Sequence, residues 1–127
     1  MQQATIGLAR YWLPVAAYAG LIYWMSDQVR PPGPTLWLIE LLGDKVVHAV
    51  EYGLLGLLCY RAFRHAAGTG AWRAAFTLAV LASGGYGVTD EIHQAFVPYR
   101  DVSGWDVLAD TVGAALGAQG WRRWGPA

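Results

Sequence analysis

Four strongly apolar segments, each about 20 residues long, make up most of the 127-residue chain. They cover residues 6–25, 44–63, 71–94 and 105–121, approximately. A helix of about 20 residues crosses the ~30 Å hydrocarbon core of a bilayer. The second and fourth segments reach that length only when the acidic residues and the histidine near their starts are counted. The pattern predicts an all-α bundle of four transmembrane helices in a single domain, residues 1–127.

The composition excludes several other classes of protein. Charged residues make up 14% of the chain, against a usual ~25%, and a soluble domain of this size needs more charge to wet its surface. The net charge of zero argues against a nucleic-acid partner, which requires a basic surface. A single cysteine, Cys59, excludes an intrachain disulfide framework. The lipid bilayer is therefore the expected partner.

The connection between the first two segments contains a further short apolar stretch. Pro31, Pro32 and Pro34 interrupt any helix that enters from residue 26. Residues 35–42 are apolar but too short to cross a membrane. We therefore predict a short interfacial helix between helices 1 and 2, lying on the membrane or capping the bundle.

Charge is sorted between the two ends of the predicted bundle. One end carries positive charge only, and the other carries all nine acidic residues with Arg30, Lys45 and Arg100. Short loops rich in lysine and arginine stay in the cytoplasm. We therefore predict a multi-pass protein of the bacterial cytoplasmic (inner) membrane, with both termini cytoplasmic and the acids extracytoplasmic. The positive end consists of Arg10, Arg61, Arg64, Arg73, Arg122 and Arg123.

Polar residues form one stripe on each of three predicted helices. Asp44, His48 and Glu51 share a face, because successive helical residues rotate by ~100°. Asp90 and Gln94 share another, and Asp106 and Asp110 a third, which continues inward to Gly113 and Gly117. The glycine spacing allows a second backbone to approach closely. We expect the stripes to converge inside the bundle, where ionisable groups indicate a functional site.

The candidate residues fall into two groups. Glu51, Asp90 and Glu91 are candidate bases and His93 a candidate proton donor. Arg100 is interpreted either as an ion-pair partner of Asp90 or Asp106, or as a bidentate grip on a phosphate or carboxylate. No metal site is predicted, although His48 and Glu51 are weak candidates, and the cofactor is unknown. The binding candidates are Asp44, Lys45, His48, Tyr52, Gln94, Arg100, Asp106 and Asp110.

Two motifs resemble the VanZ-like family of integral membrane proteins. Asp44-Lys45-x-x-His48-x-x-x-Tyr52-x-x-Leu55-Gly56 is similar to its second-helix motif. Thr89-Asp90-Glu91-x-His93-Gln94-x-Phe96-Val97-Pro98-x-Arg100, followed by Asp106-Val107-x-x-Asp110-x-x-Gly113, is similar to its second half. Ser26 also fits. Tyr99 stands where the family often has glycine, and Asp110 where it often has asparagine.

The resemblance implies a cell-envelope protein, because the named member is associated with resistance to the lipoglycopeptide teicoplanin. The resemblance implies no particular reaction, because the family has no settled one. Three functions stay open at this point. The site could bind or act on an envelope lipid, a lipid-linked cell-wall precursor or a lipoglycopeptide. It could belong to a metal-dependent membrane hydrolase or transferase acting on a lipid-linked head group. Its polar network could only fix the packing of an accessory structural subunit.

Overall fold

The apolar segments form helices, as their lengths and composition predict. The computed structural model describes residues 2–30, 33–66 and 70–126, with side chains from Gly7 onward. Its helices are α1 (Gln2–Ser26), α2 (Gly33–Leu42), α3 (Asp44–Ala66), α4 (Ala75–Gln94) and α5 (Gly104–Trp124). The described residues contain no strand, which confirms the all-α prediction. Pro31 and Pro32, which are predicted to interrupt the helix, lie outside the described residues.

The helix ends are set by local chemistry. Ser103 is the N-cap of α5, and its hydroxyl accepts a hydrogen bond from the backbone N–H of Trp105 at 3.2 Å. The helix α4 begins at Ala75, four residues later than the predicted residue 71. The backbone N–H of Arg73 is instead bonded to the carbonyl of Gly70, whose φ of 100° is left-handed. A turn therefore precedes α4.

Helix α3 is the central element, because it contacts α1, α2, α4 and α5. Helices α3 and α5 run parallel and pack most closely. A Cβ atom added at Gly56 would overlap the backbone of Ala114, and one at Gly113 would overlap the backbone of Ala49. A Cβ atom at Gly117 would likewise overlap the backbone of Gly53. These contacts confirm the predicted close approach at the glycine pair of α5.

Helix α4 runs antiparallel to α3 and α5 and also packs through glycine. Gly84 faces the side chain of Thr111, and Gly87 faces that of Asp110. Gly85, on the other side of the helix, faces open space. The three-helix core of α3, α4 and α5 is thus held by small residues, and α1 covers its remaining side through contacts with α3 and α4.

Much of the surface is apolar, and the interior contains buried carboxyl groups beside its apolar core. Large apolar side chains point outward along α3 and α5, among them Val50 (67% exposed) and Leu116 (68% exposed). Carboxyl groups lie inside, and Asp110 is fully buried. Water-soluble proteins seldom bury charge and cover it with exposed aliphatic side chains. The outward apolar positions are Val46, Val50 and Leu54 on α3, Leu81, Val88 and Ile92 on α4, and Leu108, Val112 and Leu116 on α5.

The four long helices differ in how well their length and hydropathy fit a membrane span. Helices α1, α3, α4 and α5 have 25, 23, 20 and 21 residues, each long enough to cross a bilayer. In the described part of the chain, only α3 combines that length with a sufficient mean hydropathy, 1.2 over its most apolar window. The arrangement of four spans therefore stays a prediction.

Candidate functional site

A narrow cavity lies at the end of the bundle that holds the acidic residues, which we call the acidic end. Its walls come from α1, α2, α3, α4 and the loop before α5. Its volume is about 30 Å³, enough for a water molecule or a small ion. A wider cavity of about 190 Å³ shares Asp44, His48, Gln94 and Arg100 with it. The polar lining of the narrow cavity is Ser26, Thr35, Asp44, His48, Glu51, Asp90, Gln94 and Arg100.

His48 and Asp110 form the innermost polar pair. The Nδ1 atom of His48 lies 2.9 Å from Oδ1 of Asp110, which joins α3 to α5. The Nε2 atom of His48 points toward Asp44 at 3.9 Å from Oδ1. The second carboxylate oxygen of Asp110 and the hydroxyl of Tyr52 are both buried without a hydrogen-bond partner among the described residues. The imidazole is therefore fixed by a carboxylate whose second oxygen forms no hydrogen bond within the described residues.

Lys45 binds the carboxylates at the mouth of the site. Its ammonium forms an ion pair with Asp106, which is buried at the start of α5, and lies 3.3 Å from Asp44 on its own helix. The lysine side chain is about half exposed. This ion pair ties the first turn of α3 to the first turn of α5, and it neutralises the buried carboxylate of Asp106.

Glu51 and Asp90 face each other across the cavity. The side-chain amide of Gln94 donates to Asp90 at 3.4 Å, which is a weak bond. No cationic side chain in the described residues lies within 4.0 Å of either carboxylate. The sequence prediction that the stripes of α3, α4 and α5 converge is thus met in geometry, and two carboxylates remain without a counter-ion.

Arg100 provides the positive group of the cavity. Its Nη2 atom donates to the carbonyl of Met25 at 3.4 Å, and its Nε atom is buried without a partner in the described residues. No described carboxylate lies within 4.0 Å of the guanidinium, so the predicted ion pair with Asp90 or Asp106 is absent. The reason is that the loop carries the guanidinium toward the end of α1, where it meets a backbone carbonyl.

Tyr99 sets the conformation of that loop. Its φ of 63° is left-handed, a region that favours glycine, and its side chain is 95% exposed. The tyrosine keeps the turn that glycine would make, and the turn aims the next residue, Arg100, into the cavity.

Two of the four catalytic candidates lie outside the cavity. The Oε2 atom of Glu91 accepts the backbone N–H of Ser103 at 2.9 Å, and its carboxylate is buried against the start of α5. The ring of His93 is 3.0 Å from Asp27 and packs on Tyr23, so it faces α1. Helix α4 turns ~100° per residue, and only Asp90 and Gln94 of this run therefore line the cavity.

A possible metal-ligand group differs from the weak candidates of the sequence. Asp44, His48 and Asp106 each offer one atom, and these atoms lie within 4.8 Å of one another. Glu51 is not in the group. The ammonium of Lys45 already binds Asp44 and Asp106, so a divalent ion would have to displace it. The donor set of two carboxylates and one imidazole suits a divalent metal only without that lysine contact.

The sequence allowed α2 to cap the bundle, but sequence reasoning missed which of its residues line the cavity. Thr35 and Ile39 line the cavity, and their i, i+4 spacing places them on one face of the helix. That spacing was the available signal, although a ten-residue apolar helix gives no indication of which neighbour it covers. Asp27, the partner of His93, was also missed, because the contact crosses from the end of α1 to the end of α4.

The comparisons with known proteins agree with the motifs. The family model described as VanZ/LLP1 matches residues 7–124, nearly the whole chain. No curated protein and no solved structure matches the chain. The matched range contains both polar motifs and the glycines at which α3 and α5 meet. The chain belongs to the VanZ/LLP1 family.

Proposed function

We propose that α1, α3, α4 and α5 each cross the bacterial cytoplasmic membrane, with the acidic end outside and both termini in the cytoplasm. The apolar surface supports this arrangement, since exposed aliphatic rows on α3, α4 and α5 suit contact with lipid tails. The arginines gathered at the opposite end follow the positive-inside distribution. Helix α2 would lie at the outer interface and cover the cavity.

Cysteine labelling tests this topology. Asp101→Cys and Arg123→Cys introduce thiols at exposed positions of opposite ends, while the native Cys59 is buried. A membrane-impermeant maleimide added to intact cells should label the cysteine at position 101 and reach the one at 123 only after permeabilisation. Labelling in the reverse order, or of both in intact cells, would refute the topology.

For the site itself, we propose that it binds the polar head group of an envelope lipid or lipid-linked molecule in the outer leaflet. One observation carries the proposal: the Arg100 guanidinium shares a cavity with Glu51 and Asp90 and forms no ion pair with either. The guanidinium suits a phosphate or carboxylate, and the carboxylates suit an amine or hydroxyls. The wider cavity of about 190 Å³ would admit a few non-hydrogen atoms of such a group.

Lipid analysis of the purified protein tests this function. We expect a phospholipid or prenyl phosphate to co-purify with the wild type in mild detergent, and to be lost on Arg100→Gln. Arg30→Gln is the matched control, because Arg30 is exposed at the same end and does not line the cavity. Loss of the lipid in both variants, or retention in both, would contradict the proposed head-group site.

The same experiment separates binding from a purely structural role. If the polar network served packing alone, Asp90→Asn would lower the thermal stability and leave the co-purified lipid unchanged. The susceptibility of cells to teicoplanin is the corresponding cellular readout. Cells expressing the wild type and the Arg100→Gln variant should then differ in susceptibility when both proteins are present in equal amounts.

A second candidate function, metal-dependent hydrolysis or transfer on a lipid-linked head group, is favoured by the grouping of Asp44, His48 and Asp106. Elemental analysis of the purified protein tests it. A stoichiometric divalent metal that is lost on His48→Ala would support this candidate. Absence of metal after purification without chelators, with added Zn²⁺ or Mn²⁺ failing to bind, would exclude it.

A further inference from the structure

The opposite end of the bundle contains a cavity that the acidic site does not use. We call this end, which holds Arg10, Arg61, Arg64, Arg73, Arg122 and Arg123, the arginine end. The cavity has a volume of about 240 Å³ and lies where α3 ends, α4 begins and α5 ends. Three guanidinium groups and three aromatic side chains form its wall. The lining residues are Tyr60, Arg64, Trp72, Arg73, Phe76 and Arg122.

The arginines of this cavity have aromatic neighbours and no acidic ones. The guanidinium carbons of Arg64 and Arg73 both lie over the ring of Trp72, at 5.0 and 5.2 Å from its centroid. Arg122 lies 6.0 Å from the centroid of Phe76. No carboxylate of the described residues lies within 4.0 Å of any of the three. Two like charges near one indole ring repel each other, and an anion in the cavity that both line would offset that repulsion.

We propose that this cavity binds a phosphate oxyanion. The planar guanidinium donates two parallel hydrogen bonds to phosphate oxygens, and three such groups around one cavity can surround a single phosphate. Two sources share this chemistry: the head group of an anionic phospholipid in the adjacent leaflet, and inorganic phosphate from solution. Basic pockets between membrane helices at the cytoplasmic side bind anionic head groups in the same way.

The position favours the lipid source. Trp72 and Trp124, both exposed, lie at this end, where tryptophan marks the level of the lipid head groups. A phosphate held at that depth would keep the ends of α3 and α5 at a fixed height in the bilayer. The inference is independent of the acidic site, because the two cavities lie at opposite ends of α3, and either can fail without the other.

Charge-matched double variants test the proposal. Arg64→Gln/Arg73→Gln removes two guanidiniums from the cavity. Arg10→Gln/Arg123→Gln removes two from the same end, outside the cavity lining. Each protein is studied in detergent micelles. Native mass spectrometry counts the bound molecules of phosphatidylglycerol or phosphatidylcholine, and calorimetry measures the binding of inorganic phosphate. Arg64→Lys/Arg73→Lys keeps the charge and provides a folded comparison if the glutamine variant is unstable.

The expected result is selective binding of phosphatidylglycerol by the wild type. It should weaken about tenfold or more in the cavity glutamine variant, less in the lysine variant, and little in the control variant. Binding of inorganic phosphate with the same dependence on the variants, and no preference for phosphatidylglycerol, would support the site with free phosphate as its source. Equal loss in both glutamine variants, or no loss in either, would overturn the proposal.

Discussion

The two ends of the bundle use charge in opposite ways. At the acidic end, carboxylates lie inside the helix bundle and are held by side chains from other helices, as Asp110 is by His48 and Asp106 by Lys45. At the arginine end, most guanidiniums are exposed and rest on aromatic rings, as Arg123 does on Trp124. The acidic end therefore couples charge to helix packing through buried carboxylates, whereas most charges of the arginine end stay exposed.

This difference predicts how stability responds to mutation. A charge inside the bundle is desolvated, and removing its partner leaves the other group buried and uncompensated. A charge on the rim keeps its contact with water or head groups, so its removal costs little. Substitutions of buried charges at the acidic end should accordingly have large effects on the free energy of unfolding, and those of exposed charges at the arginine end small ones.

The largest effect is expected from Asp110→Ala. The change removes a fully buried carboxylate and leaves His48 without its 2.9 Å partner, which should lower the free energy of unfolding by about 3 kcal/mol. Asp110→Asn retains an oxygen for the imidazole and should cost about 1 kcal/mol. Denaturant unfolding in detergent micelles measures both. Equal losses in the two variants would show that the hydrogen bond to His48 does not stabilise the fold.

Gly87→Ala should have the next largest effect. A Cβ atom at Gly87 would lie 2.8 Å from Oδ2 of Asp110, so the carboxylate must move and its contact with His48 must change. Such overpacking costs about 2 kcal/mol. Gly85→Ala is the matched control, two residues away with nothing within 4 Å, and should be neutral or slightly stabilising. The NMR shifts of the His48 ring should change only in the first variant.

A smaller effect, of opposite sign, is expected from Tyr99→Gly. The left-handed backbone of Tyr99 costs a non-glycine residue about 1 to 2 kcal/mol, and its exposed side chain contributes little packing in return. Glycine should raise the free energy of unfolding by about 1 kcal/mol. Tyr99→Ala keeps the strain and serves as the control. A gain with alanine as large as that with glycine would show that the side chain, rather than the backbone, is responsible.

The smallest effect is expected at the arginine end. Arg123→Ala removes an exposed guanidinium 5.8 Å from the centroid of Trp124, itself 79% exposed. The free energy of unfolding should change by about 0.5 kcal/mol. Asp27→Ala, which breaks the partly exposed pair with His93, should change it by a similar amount. A loss at position 123 comparable to that of Asp110→Ala would remove the contrast between the two ends.

The sequence determined the elements and their chemistry. Apolar runs and prolines predict the helices, and the 3.6-residue period places Asp44, His48 and Glu51 on one face of α3. The glycine pair of α5 predicts close packing, because the absence of a Cβ atom is a local property. The sorting of charge between the ends is likewise readable from the order of residues along four consecutive helices.

Only the tertiary structure decided which of these residues meet. Helical periodicity put Asp90 and Gln94 on one face of α4, but only the packing of α4 against its neighbours gave Glu91 a contact with Ser103 and His93 a contact with Asp27. The left-handed turn at Tyr99 carried Arg100 to a carbonyl of α1 instead of a carboxylate. Packing contacts between distant segments settle such choices, and the local pattern of a single helix contains no information about them.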